Sequence, residues 1–421
     1  MTDITTDAEQ AGFASDLTQS NTIGESVQAY VSRVRGGDMG ALPSILGLLV
    51  LFIVFGIAND RFLSNLNMAN LASQSGSIII LAMGLVLVLL IGEIDLSAGV
   101  AGGVGACVMG LLIVKHGQPW YLAVAAGIVC GAVIGYVIGL LVAKLGVPSF
   151  VVTLAFYLAL QGVTLKLIGE GGSVRIDQPV IAGIANNNMG VAWGWIAAVL
   201  VILGFAALRL LGHRRKVAKG LQHQPLAVVV AQIVALSAVL VVAVYVLNQN
   251  RSVNPNFSIS GIPYVIPFIV VLLMFWTFLL GRTTWGRHVY AVGGNAEAAR
   301  RAGINVDRIR ISVFLMCSSM AVLSIIVEAS YGGKVSTTSG GSNDLLYAVG
   351  AAVIGGTSLF GGRGKASDAV VGGLVIATII NGLGLLAASA WLNFVVTGAV
   401  LLLAASVDAI SRRRRSATGI G

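Results

Sequence analysis

Two carboxylates stand close together between long apolar runs, at Glu93 and Asp95. A charge beside hydrocarbon is costly, so such a group normally faces protein or a water-filled cavity. Three kinds of chemistry fit this position. The acids could form a structural turn near a translocation path, with Asp95 or Ser97 capping the next helix. They could also be solvated at a simple helix end, or belong to a proton relay.

Three neutral polar side chains, Gln161, Asn381 and Asn393, lie inside apolar segments. Their amides could hydrogen-bond to a polar substrate, and they could equally tie neighbouring helices together. Together with Asp95 and Ser97 they are the candidate residues of a translocation path. The helix-tie interpretation stands beside this one.

Catalysis, metal binding and nucleotide binding are not supported by the residue pattern. The three cysteines fall in apolar runs without the spacing of a disulfide or a metal site, and the four histidines are scattered. Gly364 and Lys365 are followed by Ala366, so the pattern of a phosphate-binding loop is not completed. We therefore expect no catalytic residue, no metal site and no cofactor in this chain.

Composition places these residues in a membrane. Of 421 residues, 57% are hydrophobic and 10% are charged, where a soluble domain carries about 25% charged residues. Several apolar runs exceed the ~18 residues that mark a spanning helix. Because the bilayer core offers no water to the backbone, such runs should be helical. The sequence therefore predicts an all-α polytopic membrane protein.

Twelve apolar segments are predicted to span the membrane. They are 41–58, 69–91, 99–114, 121–142, 149–168, 191–211, 225–247, 264–280, 311–331, 345–361, 366–387 and 389–408. The tenth is short and rich in glycine, as is typical of a broken or half helix.

The basic residues predict the orientation. With the N-terminus in the cytoplasm, 20 of the 26 Lys and Arg residues fall on the inner side and 6 on the outer side. Both termini are therefore expected in the cytoplasm. The net charge of +9 does not by itself distinguish a membrane surface from nucleic acid, but this one-sided distribution of the basic residues indicates a membrane. Residues 1–39 form a polar N-terminal segment, in which Thr22 and Glu25 make a capping box before a short interfacial helix. Residues 411–421 form a basic tail.

The fourth segment carries four glycines at a spacing of four: Gly127, Gly131, Gly135 and Gly139. This spacing predicts a smooth face on which a neighbouring helix packs closely. The alternative is that these glycines are general membrane filler.

The cytoplasmic loop 281–310 contains a short predicted helix that Asn295 caps and Gly303 ends. Three alanines are expected to share one face of it: Ala298, Ala299 and Ala302. Arg300 is expected to point elsewhere. Such a helix, held at the membrane surface, can dock into a groove on a cytoplasmic partner. The alternative is a solvated loop that only follows the positive-inside rule.

Four blocks of sequence, in the same order, resemble the ribose/xylose-type sugar ABC transporter permeases. They read GEIDLSAG at 92–99, VPSFVVTL at 147–154, GR…YAVGGN…AA…GI at 286–304, and VIGGTSLFGG at 353–362 with NGL at 381–383. The resemblance covers about residues 42–170 and 264–410, within a permease region of 40–410.

The resemblance implies a bacterial importer in the plasma membrane, in which two permease copies form the sugar path. An extracytoplasmic binding protein delivers the sugar, and two cytoplasmic ATPases, which bind ATP and Mg, drive the cycle. It also implies that the residues coupled to the ATPase are Gly293, Gly294, Asn295, Ala298, Ala299, Arg300 and Gly303.

The chain departs from the shorter ribose-type members in two ways. Residues 171–263 add two spans and a basic loop from His213 to Gly220, which makes the chain more similar to the xylose-type permeases and points to a pentose such as xylose. Glu93 stands where many members have a second glycine.

Two other classes of protein are the alternatives. An ion-coupled secondary sugar transporter predicts repeated halves and a buried ionisable pair, and no convincing half-to-half repeat is found. A membrane-embedded enzyme, such as a glycosyltransferase, needs a clustered acidic or histidine site at one membrane face, for which Glu93 and Asp95 are too few.

Overall fold

A computed structural model describes residues 42–221, 223–252, 254 and 256–418, together with Gly24 and Gln28. The predicted capping box at Thr22 and Glu25 lies outside the described residues. Elsewhere the described chain is almost entirely helical, so the predicted all-α class is confirmed.

The described residues form fifteen helices and four very short strands. The helices are α1 (Leu42–Ala58), α2 (Asn65–Leu90), α3 (Ala98–Val114), α4 (Trp120–Lys144), α5 (Ser149–Ile168), α6 (Pro179–Asn186), α7 (Val191–Ala218), α8 (Leu226–Asn248), α9 (Val265–Arg282), α10 (Thr284–Gly294), α11 (Ala296–Arg301), α12 (Val306–Gly332), α13 (Ser342–Gly355), α14 (Ala366–Leu385) and α15 (Ala390–Thr418). The strands are β1 (Ser173–Arg175), β2 (Asn188–Met189), β3 (Ile262–Pro263) and β4 (Lys334–Ser336).

Each of the twelve predicted segments coincides with one of these helices. Eight helices, α2, α4, α5, α7, α8, α9, α12 and α14, are long and apolar enough to cross a membrane. The helices of the other four segments, α1, α3, α13 and α15, are apolar over shorter lengths. The chain is therefore a multi-pass membrane protein.

Two helix ends differ from the sequence expectation. Helix α13 stops at Gly355, because Gly356 takes a left-handed conformation with φ of +116° and ends the helix. Its 14 residues are about 21 Å long, which is shorter than the ~30 Å hydrocarbon core. The predicted basic loop from His213 is wrong, since α7 continues to Ala218. Arg and Lys are good helix formers and are stabilised at a helix C-terminus, and the first glycine after them is Gly220.

The chain divides into two compact units. One contains residues 190–249, which form the helical hairpin of α7 and α8. The other contains Gly40–Met189 and Asn250–Ile410. The unit of residues 190–249 thus contains fewer residues than the predicted insertion 171–263. The short elements of the insertion, β1, α6, β2 and β3, belong to the larger unit.

Helices α2 and α12 form the centre of the larger unit. In the most apolar stretch of α2, 83% of the residues are buried, against 22% for α5 and α9. Helix α12 packs against α2, α3, α4 and α6, while α14 packs against α1, α2 and α13. The core is therefore built around two helices that are far apart in the sequence.

The glycine stripe of α4, which comprises Gly127, Gly131, Gly135 and Gly139, lies against the backbones of α3 and α12. A Cβ added at Gly131 would lie 2.9 Å from the carbonyl oxygen of Ser318, and one at Gly139 would lie 2.7 Å from the Cα of Ile311. These distances are shorter than normal van der Waals contacts. Larger residues would therefore push α12 away from α4.

Two antiparallel strand pairs join loops of the larger unit. Strand β1 pairs with β4 through Ser173 with Ser336 and Arg175 with Lys334. Strand β2 pairs with β3.

Candidate functional site

Three of the sequence blocks meet at backbone distance in one place, which we call the glycine junction (Gly92, Gly293, Gly361 and Gly362). The backbone N–H of Gly362 donates a hydrogen bond of 2.8 Å to the carbonyl of Leu90, at the end of α2. Gly293, in α10, lies directly against that carbonyl. A Cβ at Gly361 would lie 2.8 Å from the carbonyl oxygen of Gly293 and 2.9 Å from the N of Gly92.

The conformation of the junction also requires glycine. Gly92, Gly361 and Gly362 have φ angles of +74°, +86° and +75°, in the left-handed region that other residues rarely adopt. The loop after α2, the loop after α13 and helix α10 therefore touch through their backbones, with no side chain between them.

Side chains fasten α10 to the same loop. The hydroxyl of Tyr290 donates a hydrogen bond of 2.8 Å to the carbonyl of Gly364. Burial raises the pKa of Tyr290, and the nearby charge of Asp368 raises it further. The carboxylate of Asp368 in turn accepts hydrogen bonds from the N–H of Lys365 at 2.8 Å and the hydroxyl of Thr357 at 3.2 Å. The loop between α13 and α14 is thus held at both ends.

Asp95 is almost completely buried, with 1% of its surface exposed. Its carboxylate accepts hydrogen bonds from the backbone N–H and the hydroxyl of Ser97, at 2.9 and 2.7 Å. Burial raises the pKa of the Asp95 carboxyl, and these hydrogen bonds from Ser97 lower it in part. The interpretation as a solvated helix end is therefore wrong for Asp95. Of the two residues expected to cap α3, Asp95 accepts the hydrogen bond from the backbone N–H of Ser97 at the start of the helix. The side chain of Ser97 makes no capping hydrogen bond.

The fourth block, at the start of α5, anchors the same turn. The hydroxyl of Ser149 accepts a hydrogen bond of 3.3 Å from the N–H of Ile94. Thr153 donates to the carbonyl of Ile94 at 3.4 Å. All four blocks therefore converge around residues 92–97.

An ion pair ties this turn to α12. The Arg310 guanidinium lies 3.2 Å from the carboxylate of Glu93, and the two side chains are 26% and 15% exposed. The sequence indicates Glu93 as a departure from the resembled family, but it does not predict that Arg310 is the ion-pair partner of Glu93. A lone acid at the edge of an apolar run needs a nearby cation, and this need is the signal that points to Arg310.

The predicted capped helix of the loop is α11. The Oδ1 atom of Asn295 accepts a hydrogen bond of 2.9 Å from the N–H of Ala298, and Gly303 follows the helix with a φ of +83°. The expected common face of the three alanines is wrong for Ala299. This side chain is only 5% exposed and packs into the core of the larger unit, whereas Ala298 and Ala302 are exposed.

The physical reason is the helical rotation of ~100° per residue. Position 299 is rotated by about 100° from position 298 and by about 60° from position 302, so it can face the larger unit while the other two stay exposed. Ala302 also lies just past the last residue of α11, Arg301. We call three exposed small residues the small face: Gly294 at the end of α10, Ala298 in α11 and Ala302 directly after it. A Cβ at Gly294 would meet nothing within 4 Å.

Charged side chains flank the small face and are partly paired. The Glu297 carboxylate lies 3.3 Å from Arg301 and 3.8 Å from Arg300. Asp307 lies 3.9 Å from Arg300 and 3.4 Å from Lys144, at the end of α4. These exposed pairs contribute little stability, but they connect α11 with the adjacent ends of α4 and α12.

Of the candidate path residues, Asp95 and Ser97 bond to each other, whereas the three amides lie on three different helices. Asn381 is buried and exchanges two hydrogen bonds with Asn67 of α2, at 2.9 and 3.0 Å. It also donates to Gln74 at 3.2 Å, and Gln74 donates to the hydroxyl of Tyr331 at 2.8 Å. This arrangement matches the helix-tie interpretation of Asn381. Sequence reasoning missed Asn67 and Gln74, although their spacing of seven puts both amides on one face of α2.

The remaining path candidates lie on other helices. Gln161 is partly buried on α5, and Asn393 lies on α15 with a buried Oδ1 that has no hydrogen-bond partner. Among the described residues, no hydrogen bond joins either amide to Asp95 or Asn381. The path therefore remains a prediction.

The comparisons with known proteins agree with a transport role for this arrangement. The profile of a family described as branched-chain amino acid transport system / permease component matches residues 67–405. This chain belongs to that permease family. The match contains the glycine junction, α11 and both helices of the hairpin.

Named relatives cover nearly the whole permease. The xylose transport system permease protein XylH of Escherichia coli K12 is 34% identical over 385 residues, which is 91% of this chain and 95% of that protein. XylH of Haemophilus influenzae is 32% identical and covers 91% and 99%. The ribose import permease protein RbsC of Escherichia coli K12 is 32% identical and covers 87% and 92%. No solved structure matches the permease.

Proposed function

We propose that this permease is the membrane-spanning subunit of a bacterial ABC importer that translocates a monosaccharide, namely a pentose of the xylose type. The names of the xylose and ribose relatives support a sugar. The family description mentions branched-chain amino acids, so leucine is the competing substrate that the experiment must include.

The observation that carries the proposal is the glycine junction. It joins α10, and through it α11, to the end of α2 and to the loop after α13 by backbone contacts, and the hydroxyl of Tyr290 adds a hydrogen bond to the same loop. Close-packed interiors transmit displacement because they have little room to yield. A push on α11 by an ATPase would thus reach the spanning helices without being absorbed by flexible side chains.

The surface for this ATPase is the small face, flanked by Arg300 and Arg301. Gly294, Ala298 and Ala302 are exposed, whereas Ala299 contacts the permease's own core. In this proposal Ala298 and Ala302 enter the partner's groove. Ala299 holds α11 against the larger unit, so that movement of the helix moves the spans.

We also propose twelve spans with both termini in the cytoplasm. Contacts between loops support this count. Loops that follow even-numbered segments meet one another, as in the bond of Gly362 to Leu90 and the pair of Arg310 with Glu93. Loops that follow odd-numbered segments pair in the two small sheets. A single miscounted segment between the second and the tenth would place these contacting loops on opposite sides of the membrane.

The complete importer in this proposal contains two copies of the permease, two cytoplasmic ATPases that bind ATP and Mg, and an extracytoplasmic sugar-binding protein. The permease carries out no chemical step itself. Its own residues form the path and the ATPase contact, and the binding protein contributes to the choice of sugar.

The test is purification of the tagged permease from its own host under mild detergent, followed by reconstitution with the proteins that accompany it. We expect a separate ATPase to co-purify, and vesicles to take up labelled xylose only with ATP and the binding protein. Ribose and leucine serve as competing substrates. Uptake driven by an ion gradient without an ATPase would refute the importer, and uptake of leucine in place of sugars would refute the substrate class.

A further inference from the structure

The hairpin of α7 and α8 carries an unusual charge distribution. Residues 190–249 contain five Lys and Arg residues and no Asp or Glu. Four of the cations, Arg214, Arg215, Lys216 and Lys219, are exposed in the last turns of α7 or directly after it. No acid of the hairpin therefore neutralises them.

The length of α7 places these cations at the level of lipid headgroups. Its 28 residues extend about 42 Å, whereas the hydrocarbon core is ~30 Å thick. Arg209 lies about 27 Å from the start of the helix and Arg214 about 35 Å from it. The four exposed cations thus project beyond the hydrocarbon while the preceding turns lie within it.

An apolar groove lies next to the cations, between the end of α7 and the start of α8. Leu210, Leu211, Val217 and Leu226 line it, with Arg214 at its edge. A cationic edge above an apolar floor is complementary to a molecule with an anionic head and hydrocarbon chains. A free anion would use only the edge, and an acidic soluble protein would not cover the apolar floor.

We infer that this groove is a binding site for an anionic phospholipid, whose headgroup contacts Arg214 at the edge of the groove while an acyl chain lies on the leucines. Arg215, Lys216 and Lys219, on the other sides of the same helix end, add to the positive charge that attracts the headgroup. Basic clusters at the cytoplasmic end of a spanning helix attract anionic headgroups. This inference does not depend on the transported substrate.

The first experiment measures lipid retention by native mass spectrometry on the full-length permease in detergent. Phosphatidylglycerol is compared with phosphatidylcholine of the same acyl chains. We expect retained phosphatidylglycerol, with binding weakened by up to about a thousandfold when the four hairpin cations are replaced by Gln. Equal retention of phosphatidylcholine would overturn the inference.

The matched control replaces Arg412, Arg413, Arg414 and Arg415 by Gln, which removes the same charge elsewhere in the chain. We expect this variant to bind phosphatidylglycerol like the wild type. An equal loss in both variants would mean that the lipid responds to net charge and not to the groove.

A third variant, Ala207→Trp, fills the groove without changing any charge, since Ala207 is one of its lining residues. We expect it to weaken phosphatidylglycerol binding while glycerol 3-phosphate fails to displace the lipid from the wild type. Unchanged binding by the Trp variant, or displacement by the free phosphate, would overturn the assignment to a lipid.

Discussion

The glycine junction makes its sharpest prediction at Gly293. The variant Gly293→Ala adds one methyl group that must enter space already occupied by the Leu90 carbonyl and lie 2.8 Å from the N of Gly362. Both of these groups are backbone, so no side chain can rotate away. The loop after α13 or the end of α2 must therefore move.

Overpacking of this kind costs about 1–3 kcal/mol of unfolding free energy. For a large domain, 1 kcal/mol corresponds to about 2 °C in Tm, so we expect Gly293→Ala to lower the Tm by about 2–6 °C. Transport should fall further than this loss of stability explains, because the displaced contact lies between α10 and the spans.

The adjacent residue provides the control. Gly294→Ala adds the same methyl group where nothing lies within 4 Å, and Gly294 does not have a positive φ. We expect this variant to keep or slightly raise the Tm, because alanine restricts the unfolded chain. The measurements are thermal unfolding of the purified permease and ATP-dependent sugar uptake in vesicles. Equal Tm values for the two variants, or uptake by Gly293→Ala equal to that of the wild type, would refute the role of the junction.

Three further predictions follow from other contacts. Ala298→Glu should abolish co-purification of the ATPase without lowering the Tm, since Ala298 is exposed. Ala299→Glu should lower the Tm, because it buries a charge at a cost above about 2 kcal/mol. Intact ATPase binding by Ala298→Glu would contradict the small face as the docking surface. A reporter fused after Arg415 should be active only as a cytoplasmic fusion, and activity of a periplasm-dependent reporter would contradict the twelve spans. Gly131→Leu should destabilise the permease by about 1–3 kcal/mol. Gly162→Leu should not, because nothing lies within 4 Å of its Cβ position. Equal Tm values for the two variants would contradict close packing of α4.

The features that sequence predicts well are local. The twelve apolar segments coincide with helices because hydrophobic length is a property of each segment alone. The cap of α11 is also predictable, since Asn295 bonds to a residue only three positions away. Family resemblance adds the transport role, which these local patterns do not contain.

The features that sequence misses depend on tertiary packing. A rotation of α11 decides that Ala299 is buried and Ala298 exposed, and nothing in the alanine-rich segment itself selects one over the other. The hydrogen-bond partner of Asn381 is also missed, because Asn67 lies 314 residues away in the sequence. The early end of α13 at Gly355 follows from the left-handed conformation of Gly356, which a glycine permits but does not require.

The position of the glycines explains why the resembled blocks are rich in this residue. At Gly293 and Gly361 the chain needs close backbone approach, and at Gly361 and Gly362 it also needs positive φ angles. Either requirement alone could be met by other means, such as a longer loop. Where the loops after α2 and α13 meet α10, the chain needs close backbone approach and positive φ angles at the same place. Glycine is the residue that meets both requirements. Substitutions that disturb these contacts would also loosen the connection between α11 and the spans. We therefore expect a substitution at Gly293 to lower both the Tm and the transport that the ATPase drives. A substitution at Ala298 should reduce only ATPase binding and transport, with the Tm unchanged.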